Sequence, residues 1–236
     1  MPMNPLHRRM LDIGISATAE LGLVLAGGYA VQAHELVDRP SKDVDFAYCE
    51  TTPVAEVVET LVAAYRNMGF DVDVIQVNAR LARMDVHTPE GTCEVDVMKE
   101  ALQRPTNSAL GPVVSFEDAV GLKVRAIAGR TVPRDFIDVH AASKHFTWRQ
   151  LERLCARHDP GFELADFADR VGAAEHLDDI TFRAYGLDDE RIADIRRWAV
   201  AWRDDIKVRL ASDPDGKDDG PQRFNWDRYL NEREGG

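Results

Sequence analysis

The stretch from Gly27 to Asp45, GGYAVQAHELVDRPSKDVD, decides how this chain is read. A short apolar run, Leu23-Val24-Leu25-Ala26, leads into Gly27-Gly28, and Tyr29 to Leu36 then has helix-like spacing. Asp38-Arg39-Pro40-Ser41 breaks the chain, and Asp43-Val44-Asp45-Phe46 alternates with a period of two. The pattern is strand, tight turn, helix, break, strand. On the second strand Asp43 and Asp45 stand at i and i+2, so their carboxylates point to one face. Like charges that close need a counterion, and paired Mg2+ ions suit hard oxygen ligands. The glycine turn also frees backbone N–H groups at a helix N-terminus, a seat for phosphate. Solvated acids or a plain turn would explain either feature alone. The two at this spacing point to phosphate chemistry.

Working outward, the spacing of Leu6, Met10, Ile13 and Ala17 predicts an amphipathic helix over 5–20. Pro53 to Asn67 has helical spacing, with Pro53 suited to a first turn. Val72–Val77, Leu81–His87 and Cys93–Met98 read as strands, the last two joined by a turn at Pro89-Glu90-Gly91. The remainder reads as helical. Ser115 suits the N-cap of a helix Phe116–Gly129, with Asp118 in place of the usual Glu of a capping box. Pro133 precedes a helix over 134–145, and further helices are expected at 148–157, 164–175 and 190–210. Ser212 to Pro221, with four Asp, two Gly and two Pro, reads as a solvent loop. The fold class is α+β, with a mixed sheet flanked by helices over 1–145 and an all-helical C-terminal part over 146–236.

The 236 residues are 44% hydrophobic and 30% charged, with three scattered cysteines and no CxxC. That composition excludes a disordered chain, a disulfide scaffold and a cysteine zinc site, and it suits a reducing cytosol. The seven His show no metal spacing. No stretch reaches the roughly 20 apolar residues of a membrane span. The most apolar early segment, 13–31, is broken by Glu20 and Gly27-Gly28 and lacks a signal-peptide cleavage pattern, so a cytoplasmic protein is expected. Net charge is −12, spread evenly: residues 1–145 carry 14 basic and 20 acidic side chains, residues 146–236 carry 15 and 21. This disfavours a nonspecific nucleic-acid coat and weighs modestly against a large RNA acceptor. One stretch, Lys99 to Arg134, runs the other way with six basic and three acidic residues, and is where an anionic ligand is expected.

The pattern of Gly27-Gly28 followed by Ser41-Lys42-Asp43-Val44-Asp45 resembles the DNA polymerase β-like nucleotidyltransferase superfamily, and residues 27–45 alone also resemble antibiotic-modifying nucleotidyltransferases. The superfamily resemblance implies a nucleotidyltransferase-type sheet and a third carboxylate on a neighbouring strand. Asp96 in Glu94-Val95-Asp96-Val97 matches best and Asp85 less well. The later segment 121–139, GLKVRAIAGRTVPRDFIDV, resembles the AbiEii/AbiGii toxin-type nucleotidyltransferases. Lys123 matches that family's helical lysine, Arg134-Asp135 the start of its second motif, and Asp138 its essential acid. Tyr29 departs from the small residues frequent at its position.

The resemblance implies transfer of NMP from an NTP to an acceptor hydroxyl. Asp43, Asp45 and Asp96 would hold Mg2+ or Mn2+; Gly27, Gly28, Ser41 and Lys123 would bind the nucleotide. Asp138 would pair with Lys123 or act near the attacking hydroxyl. Asp135, an acid in a helix's first turn, has a dipole reason to be there and reads as structural. The family implies a toxin of a toxin–antitoxin pair with a tRNA-like acceptor and a cognate antitoxin. Modification of an aminoglycoside-type antibiotic, or a catalytically inactive nucleotide- or partner-binding domain, are the competing readings. Ser108 and Ser115 lack partners for a hydrolase triad, and Trp198 and Trp202 at i, i+4 read as core packing.

Overall fold

The alternation along Asp43–Tyr48 (β2) divides the sheet into two unlike faces. Val44 and Phe46 are fully buried on one face, while Asp43 and Asp45 look out from the other. The structure, a computed structural model, describes residues 3–212. By packing, the chain divides into two compact units, Met1–Ala119 and Val120–Gly236. Composition suggested a division at 145/146, where strand-bearing sequence has given way to helices; packing puts two further helices with the second unit.

The first unit holds α1 (Pro5–Ala17), β1 (Val24–Leu25), α2 (Gly27–Ala33), β2, α3 (Val54–Asn67), β3 (Asp71–Val77), β4 (Leu81–Thr88), β5 (Gly91–Lys99), β6 (Thr106–Ser108) and β7 (Gly111–Val113). The seven strands form one sheet in the order β3-β4-β5-β2-β1-β7-β6. It is mixed: β2 runs parallel to β5 and antiparallel to β1, and β1 runs parallel to β7. The antiparallel meander β3-β4-β5 follows the strands read from alternation, and Thr88 opposite Gly91 closes its second hairpin.

Ala82, Met84 and Val86 on β4, and Cys93, Val95 and Val97 on β5, join Val44 and Phe46 in the buried core. Helices α1 and α3 cover this face, α1 against β2 and β5 and α3 against β3, β4 and β5. Tyr65, fully buried on α3, donates its hydroxyl to the Met10 carbonyl of α1 at 3.1 Å and so locks the two helices together. The opposite face carries Asp43, Asp45, Arg83, Asp85, Glu94 and Asp96, by register.

The helix α4 (Phe116–Gly129) begins at the end of the first unit. Ser115 caps it as expected, its Oγ accepting from Asp118 N–H at 3.0 Å. The Asp118 carboxylate accepts from the Gln103 N–H at 2.6 Å, so it also ties down the preceding loop. The second unit continues with α5 (Pro133–Ala142), α6 (Trp148–His158), α7 (Leu164–Gly172), α8 (Asp179–Arg183) and α9 (Asp189–Ser212). Ile192, Ile195, Ala199, Trp202 and Ile206 form the buried stripe of α9, which packs on α7, α5 and α8. Trp202 donates Nε1–H to Glu152 at 2.8 Å, and Arg209 clasps the same carboxylate. Trp198 is only half-buried and lies edge-on to His140. Of the loop expected over 212–221, Ser212 ends α9 and the rest lies outside the described residues. None of the described helices is long and apolar enough to cross a membrane.

Candidate active site

The two glycines make room for the acids. Gly27 begins α2 at φ +60, a conformation that L side chains rarely adopt. A Cβ there would overlap the Asp45 carboxylate and come within 2.6 Å of the Asp45 Cβ. A Cβ on Gly28 would overlap the Ser41 hydroxyl and lie 3.0 Å from the Ser41 Cβ. Ser41 donates its hydroxyl to Asp43 Oδ1 at 2.9 Å, which fixes that carboxylate's rotation. Thus Gly27, Gly28, Ser41, Asp43 and Asp45 are brought together at one end of β2. The backbone supports this: Ala26 N–H donates to the Asp45 carbonyl at 2.8 Å.

Asp96 stands directly beside Asp45 in the parallel β2–β5 ladder. Arg83 faces it from β4 and holds both carboxylate oxygens, Nε to Oδ1 at 2.8 Å and Nη2 to Oδ2 at 2.6 Å. That paired hydrogen bond, more than any other influence, holds the Arg83 guanidinium charged. Asp85 lies one row along, opposite Glu94 and not Asp96. The face is strongly negative. Burial first, then the charges of Asp43, Glu94 and Asp85, push the Cys93 thiol up to about 12.

Among the described residues no three His, Cys, Asp or Glu side chains are gathered in the way that would hold a metal ion by themselves. Mg2+ does not require such a cage: it is commonly held by one or two carboxylates, with substrate phosphates and water completing the octahedron. Asp43 and Asp45 are hard donors that could hold a cation in this way, and Gly27 leaves the room that the Asp45 carboxylate occupies.

The second cluster is built on α4 and α5. Lys123 Nζ lies 3.1 Å from Asp138 Oδ2 and 3.5 Å from Asp135 Oδ1. Asp135 and Asp138, three apart on α5, share a helix face and are essentially fully buried. Arg130 Nε approaches Asp135 Oδ2 at 3.0 Å. Lys123 thus meets both carboxylates, and Arg130 meets that of Asp135. Asp135 does more than suit a helix dipole, since it receives both cations. Within the basic stretch, Lys99 donates to the Thr51 and Thr52 carbonyls, Arg125 donates to that of His158, and Lys123 and Arg130 pair with carboxylates.

Three residues near the first cluster escaped the sequence reading: Arg83, Arg39 and His7. Arg39 is buried beside Gly28 and donates to the Pro40 carbonyl at 3.1 Å. Tyr29 buries its ring and bonds His7 Nδ1 through its hydroxyl at 2.8 Å, so the large residue at this position fastens α2 to α1.

A family model described as nucleotidyl transferase AbiEii toxin, type IV toxin–antitoxin system, matches residues 14–231. The chain belongs to the AbiEii nucleotidyltransferase toxin family. It is a nucleotidyltransferase, and the mixed sheet followed by helices is the architecture expected of one. Among solved structures, it is similar to MenT4, a nucleotidyltransferase toxin from Mycobacterium tuberculosis, with 19% identity and a TM-score of 0.57 over 96% of this chain and 90% of that one. It is also similar to JHP933 from Helicobacter pylori, with 17% identity and a TM-score of 0.50 over 90% of this chain and 97% of that one. At these identities the likeness is one of fold. No curated protein matches the chain by sequence. The AbiEii match spans both units, so Asp43, Asp45, Lys123 and Asp138 all fall within it.

Proposed function

We propose that this AbiEii-family enzyme transfers NMP from an NTP to a hydroxyl of an RNA acceptor such as a tRNA, as the toxin of a toxin–antitoxin pair whose cognate antitoxin restrains it. The observation that carries the reading is the Gly27–Asp45 fit: a glycine at positive φ leaves room for one carboxylate of an acidic pair on a single strand face. A fold with no use for that pair would gain by separating the charges.

Asp43 and Asp45 are the proposed ligands of Mg2+ or Mn2+, with Asp96 the third carboxylate of the face. When bound, the cation would neutralise the triphosphate and ease ionisation of the acceptor hydroxyl. Ser41 holds Asp43 in one rotamer through its hydroxyl. Gly27 and Gly28 let backbone approach phosphate closely. Lys123 is proposed to offset triphosphate charge, a compact ammonium being suited to that task. Asp138 and Asp135 hold its ammonium in place. In the reaction the acceptor oxygen attacks the α-phosphorus in line, and pyrophosphate leaves.

The test is incubation of the full chain with each α-labelled NTP and Mg2+, in the presence of total RNA or a panel of aminoglycosides. Label in RNA with one preferred NTP supports the reading. Label only on an aminoglycoside replaces it with antibiotic modification, and no label with any NTP and either acceptor contradicts it.

A further inference from the structure

Residues directly opposite in a β-ladder share a face of the sheet. Arg83, Asp96 and Asp45 therefore form one row across β4, β5 and β2, and Asp85, Glu94 and Asp43 form the next. Five of these six side chains are acids. The exception, Arg83, lies next to the carboxylate beside Asp45. Its grip on Asp96 is bidentate and uses both carboxylate oxygens. Asp96 is 6% exposed, whereas the Arg83 side chain is 40% exposed, so the cation covers the acid from the solvent side. Arg83 Nη1 has no hydrogen-bond partner among the described residues, so the contact with Asp96 accounts for the placement of its head.

We propose that Arg83 takes the place of a second metal ion, so that this site binds a single divalent cation through Asp43 and Asp45. A second ion would need the oxygens of Asp96. To reach them it must break two charge-assisted hydrogen bonds and approach a fixed positive charge. Arg83 thus supplies on this face the positive charge that a second ion would bring, at a fixed point and independent of metal concentration. Asp96 becomes a positioning residue that aims the guanidinium and is not itself a metal ligand. This rests on the metal reading of Asp43 and Asp45.

The experiment is direct titration with Mn2+ alone, counting bound ions per chain by the loss of the free-ion paramagnetic resonance signal. The wild-type chain is expected to bind one ion, and Asp45→Asn none. Arg83→Gln should bind two, and Arg83→Gln combined with Asp96→Asn should return to one. Arg83→Lys keeps the charge and the fold and should stay at one. Two ions on the wild-type chain, or one on a folded Arg83→Gln, would overturn the role of Arg83 while leaving the metal site standing. A wild-type chain that binds no Mn2+ would overturn the metal reading and this inference with it.

Discussion

Gly27 and Asp45 are fitted to each other: the hydrogen of the glycine faces the carboxylate, where any Cβ would collide with it. The turn before α2 and the acid on β2 are a single structural unit, although seventeen residues separate them in the chain.

Replacing Gly27 by Ala should therefore damage function more than folding. The left-handed backbone costs an Ala roughly 1–2 kcal/mol, and the Cβ must push Asp45 aside. Displacement of a reacting group by about 1 Å lowers turnover about a hundredfold. Gly69→Ala is the control, since its φ is +81 with nothing within 4 Å of the added Cβ. It should lose similar stability and no specific activity. Melting temperature and turnover measured on both variants check this, and equal activity losses would contradict it.

Lys123 is only 8% exposed and sits against two buried carboxylates, so its removal should be felt in both stability and rate. Breaking a buried ion pair by deleting one partner costs about 3–5 kcal/mol; losing one electrostatic contact in a transition state costs about 2–4 kcal/mol. Lys123→Ala should show both effects and Lys123→Arg should recover part of each. Asp138→Asn keeps the shape, and should slow turnover per folded molecule nearly as much. If both Lys123→Ala and Asp138→Asn melt early but turn over normally once folded, the cluster is only a bridge between α4 and α5.

His7 gives the stability a pH dependence of definite sign. Burial holds its pKa below the usual value, and the Asp43 charge opposes this in part. The unfolded chain then binds a proton more readily than the folded one. Stability from this group is complete above about pH 6.5 and is lost as pH falls from there through the folded pKa. In the protonated ring Nδ1 can meet the Tyr29 hydroxyl only as a donor. In His7→Gln the melting temperature should fall less between pH 7 and pH 5 than in the wild-type chain. An identical slope would contradict the assignment.

The meander β3-β4-β5 was legible because β4 alternates with a period of two and Glu90-Gly91 turns the chain into β5, although β3 is mostly exposed and its register shifts between Val74 and Gln76. The hairpin β6–β7 was not. Its strands are three residues long, too short for a period to show, and β7 is fixed by a parallel partner, β1, far away in sequence. The short α8 was missed for a related reason, since it depends on packing and not on local composition. At the site, the acidic pair and its glycines stood out because residue type and spacing alone marked them. Arg83 looked like an ordinary strand residue, yet a signal was present. Counting back from the Thr88–Gly91 pair along both strands brings Arg83 opposite Asp96. Asp135 was undervalued because a first-turn acid already has a local explanation, which hid its contact with Lys123.

The most direct test of the central claim compares the initial rate of NMP transfer by the wild-type chain and by Asp45→Asn, with the preferred labelled NTP and acceptor, in Mg2+ and in excess EDTA. Asp45→Asn keeps the side chain's size beside Gly27 and removes its charge, so folding should survive while metal binding is lost. The account predicts transfer by the wild-type chain in Mg2+ only, and a loss of at least about a hundredfold in Asp45→Asn, on the scale of one essential electrostatic contact. Wild-type rates that persist in EDTA, or near-normal turnover by folded Asp45→Asn, would contradict it.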